Sequence, residues 1–228
     1  MTAYRPAPTS AARSVPCALL LLLAACTSSV DGGGPHPLIV TLGGSNQWAP
    51  PSSALPGEIG VLLVRGGAPQ VGVPVRFTTA AGTITPSVAT TGPNGVAAAV
   101  WTLPAGATPR AVQAVAEVDF TDAPEMQFTA FVVPAGNAVV TVSNNVFSPV
   151  PRTIAAGQTV TWIWFDGALG HNVTPLGLEP VASGALRNGP FVYSYAFPTS
   201  GNYTFYCEAH GTPIGTGMAG VITVQPPG

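Results

Sequence analysis

The sequence contains no lysine and little charge of either sign. Its 228 residues include seven basic residues, all arginine, and nine acidic residues, so that 7% of the chain is charged, against about 25% in an average soluble domain. A nucleic-acid-binding protein needs clustered Lys and Arg to meet the phosphates. We therefore exclude nucleic acid as a partner.

Continuous helical periodicity is also missing, whereas turn-forming residues are abundant. The chain has 27 Gly and 25 Pro, and 46% of its residues are hydrophobic, which is more than disordered chains tolerate. Val, Thr and aromatic residues, which favour strands, are frequent. We predict an all-β protein made of two tandem β-sandwiches.

The first 25 residues have the pattern of a secretory signal. Arg5 and Arg13 precede an apolar stretch over residues 15–25, which is shorter than the ~20 residues that cross a bilayer. The stretch ends in a Leu-Ala-Ala-Cys run at Cys26 that resembles the bacterial lipobox. This resemblance implies that Cys26 is acylated and anchors the mature chain to a membrane. The alternative is an ordinary cleavage site with an incidental cysteine.

The compartment follows from this N-terminus. We expect an extracytoplasmic monomer, lipid-anchored to the cell envelope in the periplasm or at the outer membrane, with residues 26–37 as a flexible tether. Cys17 leaves with the signal and Cys26 carries the lipid. Cys207 then remains as a lone thiol, which needs a functional explanation in an oxidising compartment.

Residues 38–133 alternate between apolar and polar in short runs separated by turns. Val75 and Phe77 share one predicted strand face, and Asn94-Gly95 is a turn signal. This spacing is typical of a sandwich of about seven strands in about 100 residues. The segment contains neither His nor Cys, and we assign no chemistry to it.

Three segments of this region resemble the bacterial Ig-like domains of invasin and intimin type. The matching segments are residues 45–56, 72–77 and 91–97. The resemblance implies a spacer or an adhesive stalk.

Four side chains that bind soft metals occur within residues 137–225. Cys207 ends the inward-facing row of a predicted strand, His210 and Met218 follow it, and His171 stands upstream. Each of them taken singly is more often a buried apolar residue, a gap filler or a turn residue. Together, two imidazoles, a thiolate and a weak axial thioether suit copper that cycles between two oxidation states. This combination predicts an electron-transfer site.

The segments around these side chains resemble the plastocyanin-type cupredoxins over the whole of residues 137–225. The matching segments are 147–149, 154–162, 170–173, 205–210 and 217–221. The resemblance implies a Greek-key sandwich that holds one type 1 copper ion.

The resemblance also implies a role for each ligand. His171, Cys207 and His210 would be the strong ligands and Met218 the axial one, although the loop over residues 211–217 is longer than that of plastocyanin. Zinc would accept two His and a thiolate as well, but Cu(II) precedes Zn(II) in the affinity order.

The function that we expect is electron transfer by a membrane-anchored blue copper protein, with the Ig-like domain as a spacer, and not enzymatic turnover. Multicopper oxidases and copper nitrite reductases require many more histidines than the three in this chain. By analogy with the family, His210 and Ile214 would form the electron exit and the docking site for an unidentified redox protein. Two alternatives stay open, namely an extracytoplasmic copper carrier or buffer, and a surface adhesin with an accessory copper domain.

Overall fold

A computed structural model describes residues 37–120 and 123–227, which belong to one compact unit. The predicted signal peptide, the lipidation site Cys26 and the tether up to residue 36 lie outside the described residues. The regular elements of the described part are all strands, which confirms the prediction of an all-β protein. No helix in these two ranges is long and apolar enough to span a membrane.

The first sandwich contains the first ten strands of the chain. They are β1 (Pro37–Gly43), β2 (Gln47–Ala49), β3 (Ile59–Arg65), β4 (Ala68–Pro69), β5 (Pro74–Thr79), β6 (Thr83–Thr85), β7 (Val88–Thr90), β8 (Val96–Thr102), β9 (Arg110–Val118) and β10 (Met126–Val132). One sheet has the order β1-β3-β8-β6, with β4 beside β3, and the other has the order β2-β10-β9-β5-β7.

The core of the first sandwich is apolar and aromatic. Phe77, Trp101 and Phe128 are buried in one cluster, and the indole Nε1 of Trp101 donates to the carbonyl of Ala81 at 3.1 Å. Val75 faces the same cluster as Phe77, as the alternation predicted. Burial of these side chains is the main source of stability for a domain of this size.

The second sandwich contains the remaining eight strands. They are β11 (Ala138–Ser143), β12 (Val146–Ser148), β13 (Arg152–Ala155), β14 (Thr159–Trp164), β15 (Thr174–Pro175), β16 (Phe191–Ala196), β17 (Gly201–Gly211) and β18 (Gly217–Gln225). The sheets have the orders β12-β11-β14-β16 and β13-β18-β17-β15.

Aromatic side chains fill the interior between these two sheets. Trp162 from β14 meets the ring of Phe205 from β17 edge to face, with 5.4 Å between ring centroids. Phe147 from β12 also meets Phe205 edge to face, at 4.9 Å. Edge-to-face pairs of this kind are favourable beyond the area that they bury. They fix β17 against the opposite sheet, and β17 carries two of the predicted ligands.

Candidate metal centre

The four predicted ligands come from two neighbouring strands and one loop of the second sandwich. Cys207 and His210 both lie on β17, and Met218 is the second residue of β18, which pairs antiparallel with β17. His171 lies between β14 and β15 and forms an isolated bridge with Arg187. Residues far apart in the sequence therefore meet at one end of the sandwich.

The thiol of Cys207 is the centre of this group. Its Sγ lies 3.7 Å from Nδ1 of His171 and 3.5 Å from Nδ1 of His210. The ligand atoms of these three residues all lie within 4.8 Å of one another. The structure thus brings together the three strong ligands that were predicted from the sequence.

These separations fit a trigonal metal ion. A first-row ion lies about 2.0 Å from an imidazole nitrogen and about 2.3 Å from a thiolate sulfur, so a trigonal arrangement places sulfur about 3.7 Å from each nitrogen. The two observed Sγ–Nδ1 distances are close to this value. Two imidazoles and a thiolate in this arrangement are the donor set of blue copper sites.

Burial differs among the four side chains. Cys207, His171 and Met218 expose 0%, 2% and 2% of their surface, and Met218 packs in the same apolar cluster as Cys207. His210 is only partly buried. The imidazole of His210 is therefore the part of this otherwise buried group that reaches the solvent.

The environment of His171 lowers the pKa of its imidazole. Burial lowers its pKa below the ordinary value of 6.5, and a positive charge on nearby His210 lowers the pKa further. The two rings lie 4.7 Å apart between centroids. Because a metal binds only the unprotonated nitrogen, this environment favours the form of His171 that acts as a ligand.

The backbone of His171 is held on both sides. Its N–H donates to the carbonyl of Arg187 at 3.0 Å, and its carbonyl accepts from the N–H of Arg187 at 2.9 Å. The same carbonyl accepts from Nε1 of Trp164 at 3.1 Å. Gly170 N–H donates to the side chain of Asn188 at 2.9 Å. Hydrogen bonds therefore fix the backbone of the loop that carries this ligand.

Asn172 is a buried polar residue beside the predicted ligands that the sequence analysis did not single out. It is 1% exposed, and its amide joins the loop of His171 to β17. Its Oδ1 accepts from the N–H of Glu208 at 3.0 Å, and its Nδ2 donates to the Glu208 carboxylate at 2.9 Å and to the carbonyl of Gly184 at 3.2 Å. A polar side chain directly after the histidine and before an apolar residue was the available signal.

The loop between His210 and Met218 is a narrow hairpin. A Cβ atom on Gly211 would lie 2.3 Å from the carbonyl oxygen of Met218, and one on Gly217 would lie 2.4 Å from that of His210. Only glycine permits such a close approach of two backbones. The two ends of the loop over residues 211–217 therefore lie close together, next to His210 and Met218.

Side chains beyond this base continue the hairpin to an apolar tip. The hydroxyls of Thr212 and Thr216 lie 2.6 Å apart, and Thr212 N–H donates to the carbonyl of Thr216 at 3.0 Å. Ile214 stands between them and is 85% exposed. Exposure of this degree is unusual for isoleucine.

Comparisons with known proteins concern this part of the chain. Residues 135–225 match the model of the copper-binding proteins of the plastocyanin/azurin family. Plastocyanin from Scenedesmus fuscus is 40% identical over 90 residues, which are 35% of this chain and 87% of that protein. A chloroplastic plastocyanin from Physcomitrium patens is 39% identical over 88 residues, which are 35% of this chain and 50% of that protein.

Two solved structures show some similarity to the chain. A purple cupredoxin from Nitrosopumilus maritimus has 26% identity and a TM-score of 0.33 over 39% of this chain and 99% of that chain. Amicyanin from Paracoccus versutus has 29% identity and a TM-score of 0.34 over 41% of this chain and 85% of that chain.

Proposed function

Through residues 135–225 the chain belongs to the plastocyanin/azurin family of copper-binding proteins, and from this premise we propose that it is a membrane-anchored blue copper protein that transfers electrons. It is an extracytoplasmic electron-transfer protein with a copper cofactor, and it is not an enzyme. The observation that carries the proposal is the convergence of His171, Cys207 and His210 around one buried thiol. When bound, copper supplies a one-electron couple between Cu(I) and Cu(II).

The protein contributes rigidity and exclusion of water to this couple. Cys207 and His171 hold their positions through a packed core and a hydrogen-bonded loop. Met218 lies buried on the neighbouring strand, from which its thioether would supply a fourth, weaker ligand. A ligand set that moves little on oxidation keeps the barrier to electron transfer low. The potential depends on the axial ligand and on the burial of the sulfur.

The exit for the electron is assigned to His210, because it is the partly exposed ligand. Three exposed apolar side chains lie close in sequence to the ligands or to their pairing partners, namely Leu169, Leu186 and Ile214 at 66%, 45% and 85% exposure. With 7% charged residues, the chain has little means of electrostatic steering. The partner should therefore dock through apolar contact around His210 and Ile214.

We assign the remaining parts of the chain to positioning the copper domain relative to the membrane. Acylation of Cys26 would anchor the protein, and the first sandwich would hold the copper domain away from the membrane. In cells, wild-type protein should sediment with the membrane fraction and Cys26→Ser should remain in the supernatant. Equal distribution of the two proteins would contradict the anchor.

The copper site is tested by a visible spectrum after Cu(II) is added to the purified protein. We expect an intense thiolate-to-copper band that Cys207→Ser abolishes, because no other thiolate adjoins two imidazoles in the described residues. Cys26→Ser is the matched control and should keep the full band. A colourless copper-loaded wild-type protein would contradict the blue copper assignment.

The docking site is tested by electron self-exchange between the Cu(I) and Cu(II) forms of the protein, measured from NMR line widths. Ile214→Glu should slow self-exchange about tenfold, because a carboxylate must be desolvated where two apolar surfaces meet. Leu178→Glu introduces the same charge at a side chain that is 94% exposed on a different loop, and it should leave the rate unchanged. Equal rates for both variants would exclude Ile214 from the docking site.

A further inference from the structure

Two strands of the protein are apolar on both faces, and these faces meet between the sandwiches. In β10, Phe128 belongs to the core of the first sandwich, whereas Phe131 lies on the opposite face. In β14, Trp162 belongs to the core of the second sandwich, and Ile163 points away from it. Phe131, Val133 and Ile163 are buried together in a third cluster. The two sandwiches therefore share a buried contact in addition to their linker.

Phe165 extends this contact to the beginning of the loop that carries His171. It packs against the cluster from the side of the second sandwich. Two rings of the first sandwich adjoin it, because Phe131 lies 6.2 Å and Trp48 lies 6.5 Å from its ring centroid. Trp48 is 40% exposed, so its position at Phe165 is a surface contact and not part of a core.

A hydrogen bond also joins the two sandwiches beside this apolar contact. The side-chain Oδ1 of Asn46 accepts from the backbone N–H of Asp166 at 2.7 Å. Asn46 is itself fixed to the first sandwich, because its own N–H donates to the carbonyl of Thr129 at 2.7 Å. Its φ of 60° is one that Asn and Gly tolerate best. The first sandwich thus holds the backbone five residues before His171.

The chain between this contact and His171 is connected by hydrogen bonds at each step. The carbonyl of Phe165 accepts from Ala168 N–H at 2.9 Å, and the carbonyl of Ala168 accepts from Gly189 N–H at 2.7 Å. Gly189 also lies directly against the Phe165 carbonyl, where a Cβ atom would have no space. Two residues before Gly189, Arg187 pairs with His171 in both directions.

We propose that the first sandwich positions the His171 ligand, through the Asn46 hydrogen bond and the Trp48 ring, and thereby sets the reduction potential of the copper site. Asn46 and Trp48 are positioning residues that act through the loop of residues 165–171. The inference rests on the proposed function and goes beyond the role of a spacer. A small displacement of one imidazole changes the affinities for Cu(II) and Cu(I) unequally, because the two ions prefer different ligand geometries.

The test uses the full chain with Asn46→Gly, which removes the acceptor and keeps the positive φ accessible. Asn145→Gly is the matched control, because Asn145 has a φ of 59° in the turn between β11 and β12. We expect Asn46→Gly to change the ratio of Cu(II) to Cu(I) affinities at least threefold, which is about 28 mV at 59 mV per factor of ten for one electron. The control should keep the wild-type potential in voltammetry.

Two further variants separate positioning from simple stabilisation. Asn46→Asp retains an acceptor for the Asp166 N–H and should restore the wild-type potential. Trp48→Leu tests the aromatic contact without the hydrogen bond and should shift the potential in the same direction as Asn46→Gly. In copper-free protein, the amides of Ala168 and His171 should exchange hydrogen at least threefold faster in Asn46→Gly than in Asn145→Gly.

The outcomes distinguish this inference from the proposed function. A visible band with unchanged potential in both Asn46→Gly and Trp48→Leu would overturn the positioning role and leave the blue copper assignment intact. Faster amide exchange with an unchanged potential would overturn it as well, since the contact would then stabilise the loop without affecting the ligand. Absence of the band in the wild-type protein would instead contradict the proposed function.

Discussion

Each of the two sandwiches consists of two packed sheets. Yet the residue types that can bind metal or react occur mainly in the second one. Residues 38–133 contain no Cys, His or Tyr, and the core there is closed by aliphatic and aromatic side chains. The second sandwich places Cys207, His171 and Met218 in its core at one end. The comparison shows that the sandwich architecture alone does not produce a metal site. The site depends on polar side chains that the fold buries and connects.

The largest expected effect concerns the core of the first sandwich. Trp101→Ala should lower the free energy of unfolding of this sandwich by about 3–5 kcal/mol, because it removes a fully buried indole from the core. The Ala81 carbonyl also loses the indole donor and keeps only the Thr79 hydroxyl, at 3.0 Å. Denaturant titration followed by tryptophan fluorescence measures the cost. Under native conditions the copper band should be unchanged, because Trp101 belongs to the core cluster of the first sandwich. Loss of the band in folded Trp101→Ala would mean that the core of the first sandwich also determines copper binding.

An intermediate effect is expected for the buried amide beside the ligands. Asn172→Ala should lower the free energy of unfolding of the copper-free protein by about 1–3 kcal/mol, because the Glu208 N–H and carboxylate lose their partner. It should also weaken Cu(II) binding, measured by competition with a chelator. Asn137→Ala is the matched control, since its Nδ2 donates to Thr161 at 2.9 Å in the second sandwich. If both variants bound copper equally well, Asn172 would have no role in the site.

The smallest effect concerns the response to alkaline pH. Burial and then nearby Tyr195 raise the pKa of Tyr193 from 10 to about 12. Between these values the unfolded chain has lost a proton that the folded protein retains, so stability should fall as the pH rises from 10 towards 12. Because the side chain is partly exposed and solvent screens its charge, we expect a loss of about 1 kcal/mol.

Unfolding of the second sandwich at several pH values measures this loss. Tyr193→Phe should reduce the slope of stability against pH above 10. The first sandwich contains no tyrosine, so its unfolding should not show this tyrosine-dependent slope. An unchanged slope in Tyr193→Phe would mean that this hydroxyl does not control the alkaline response.

The alternation of apolar and polar residues indicated strands in both sandwiches. Val75 and Phe77 face the core as predicted. The predicted strand whose inward-facing row ends at Cys207 continues beyond that residue, because β17 runs from Gly201 to Gly211. The extension crosses the register shift after Tyr206, and strict alternation cannot predict an irregularity that arises from pairing with β18.

The residue types of the metal centre could be inferred from the sequence, because a His, a Cys, a second His and a Met follow one another in the second sandwich of a chain that has only three residues of each type. The distances between their ligand atoms could not be inferred from the sequence. The Sγ–Nδ1 distances depend on how β17, β18 and the loop of His171 come together. The bonds of Asn172 to Glu208 join residues 36 positions apart, and no local pattern encodes such a pair.

The contact between the sandwiches was decided by the tertiary structure alone. The runs of Phe131 to Val133 and Trp162 to Trp164 are continuously apolar, which indicates strands buried on both faces without saying what covers them. Only the fold shows that Phe131 and Ile163 meet and that Asn46 reaches Asp166 across 120 positions. The physical reason is that strand periodicity specifies which side of a strand is apolar, whereas the partner of an outward apolar face depends on how the folded domains pack together.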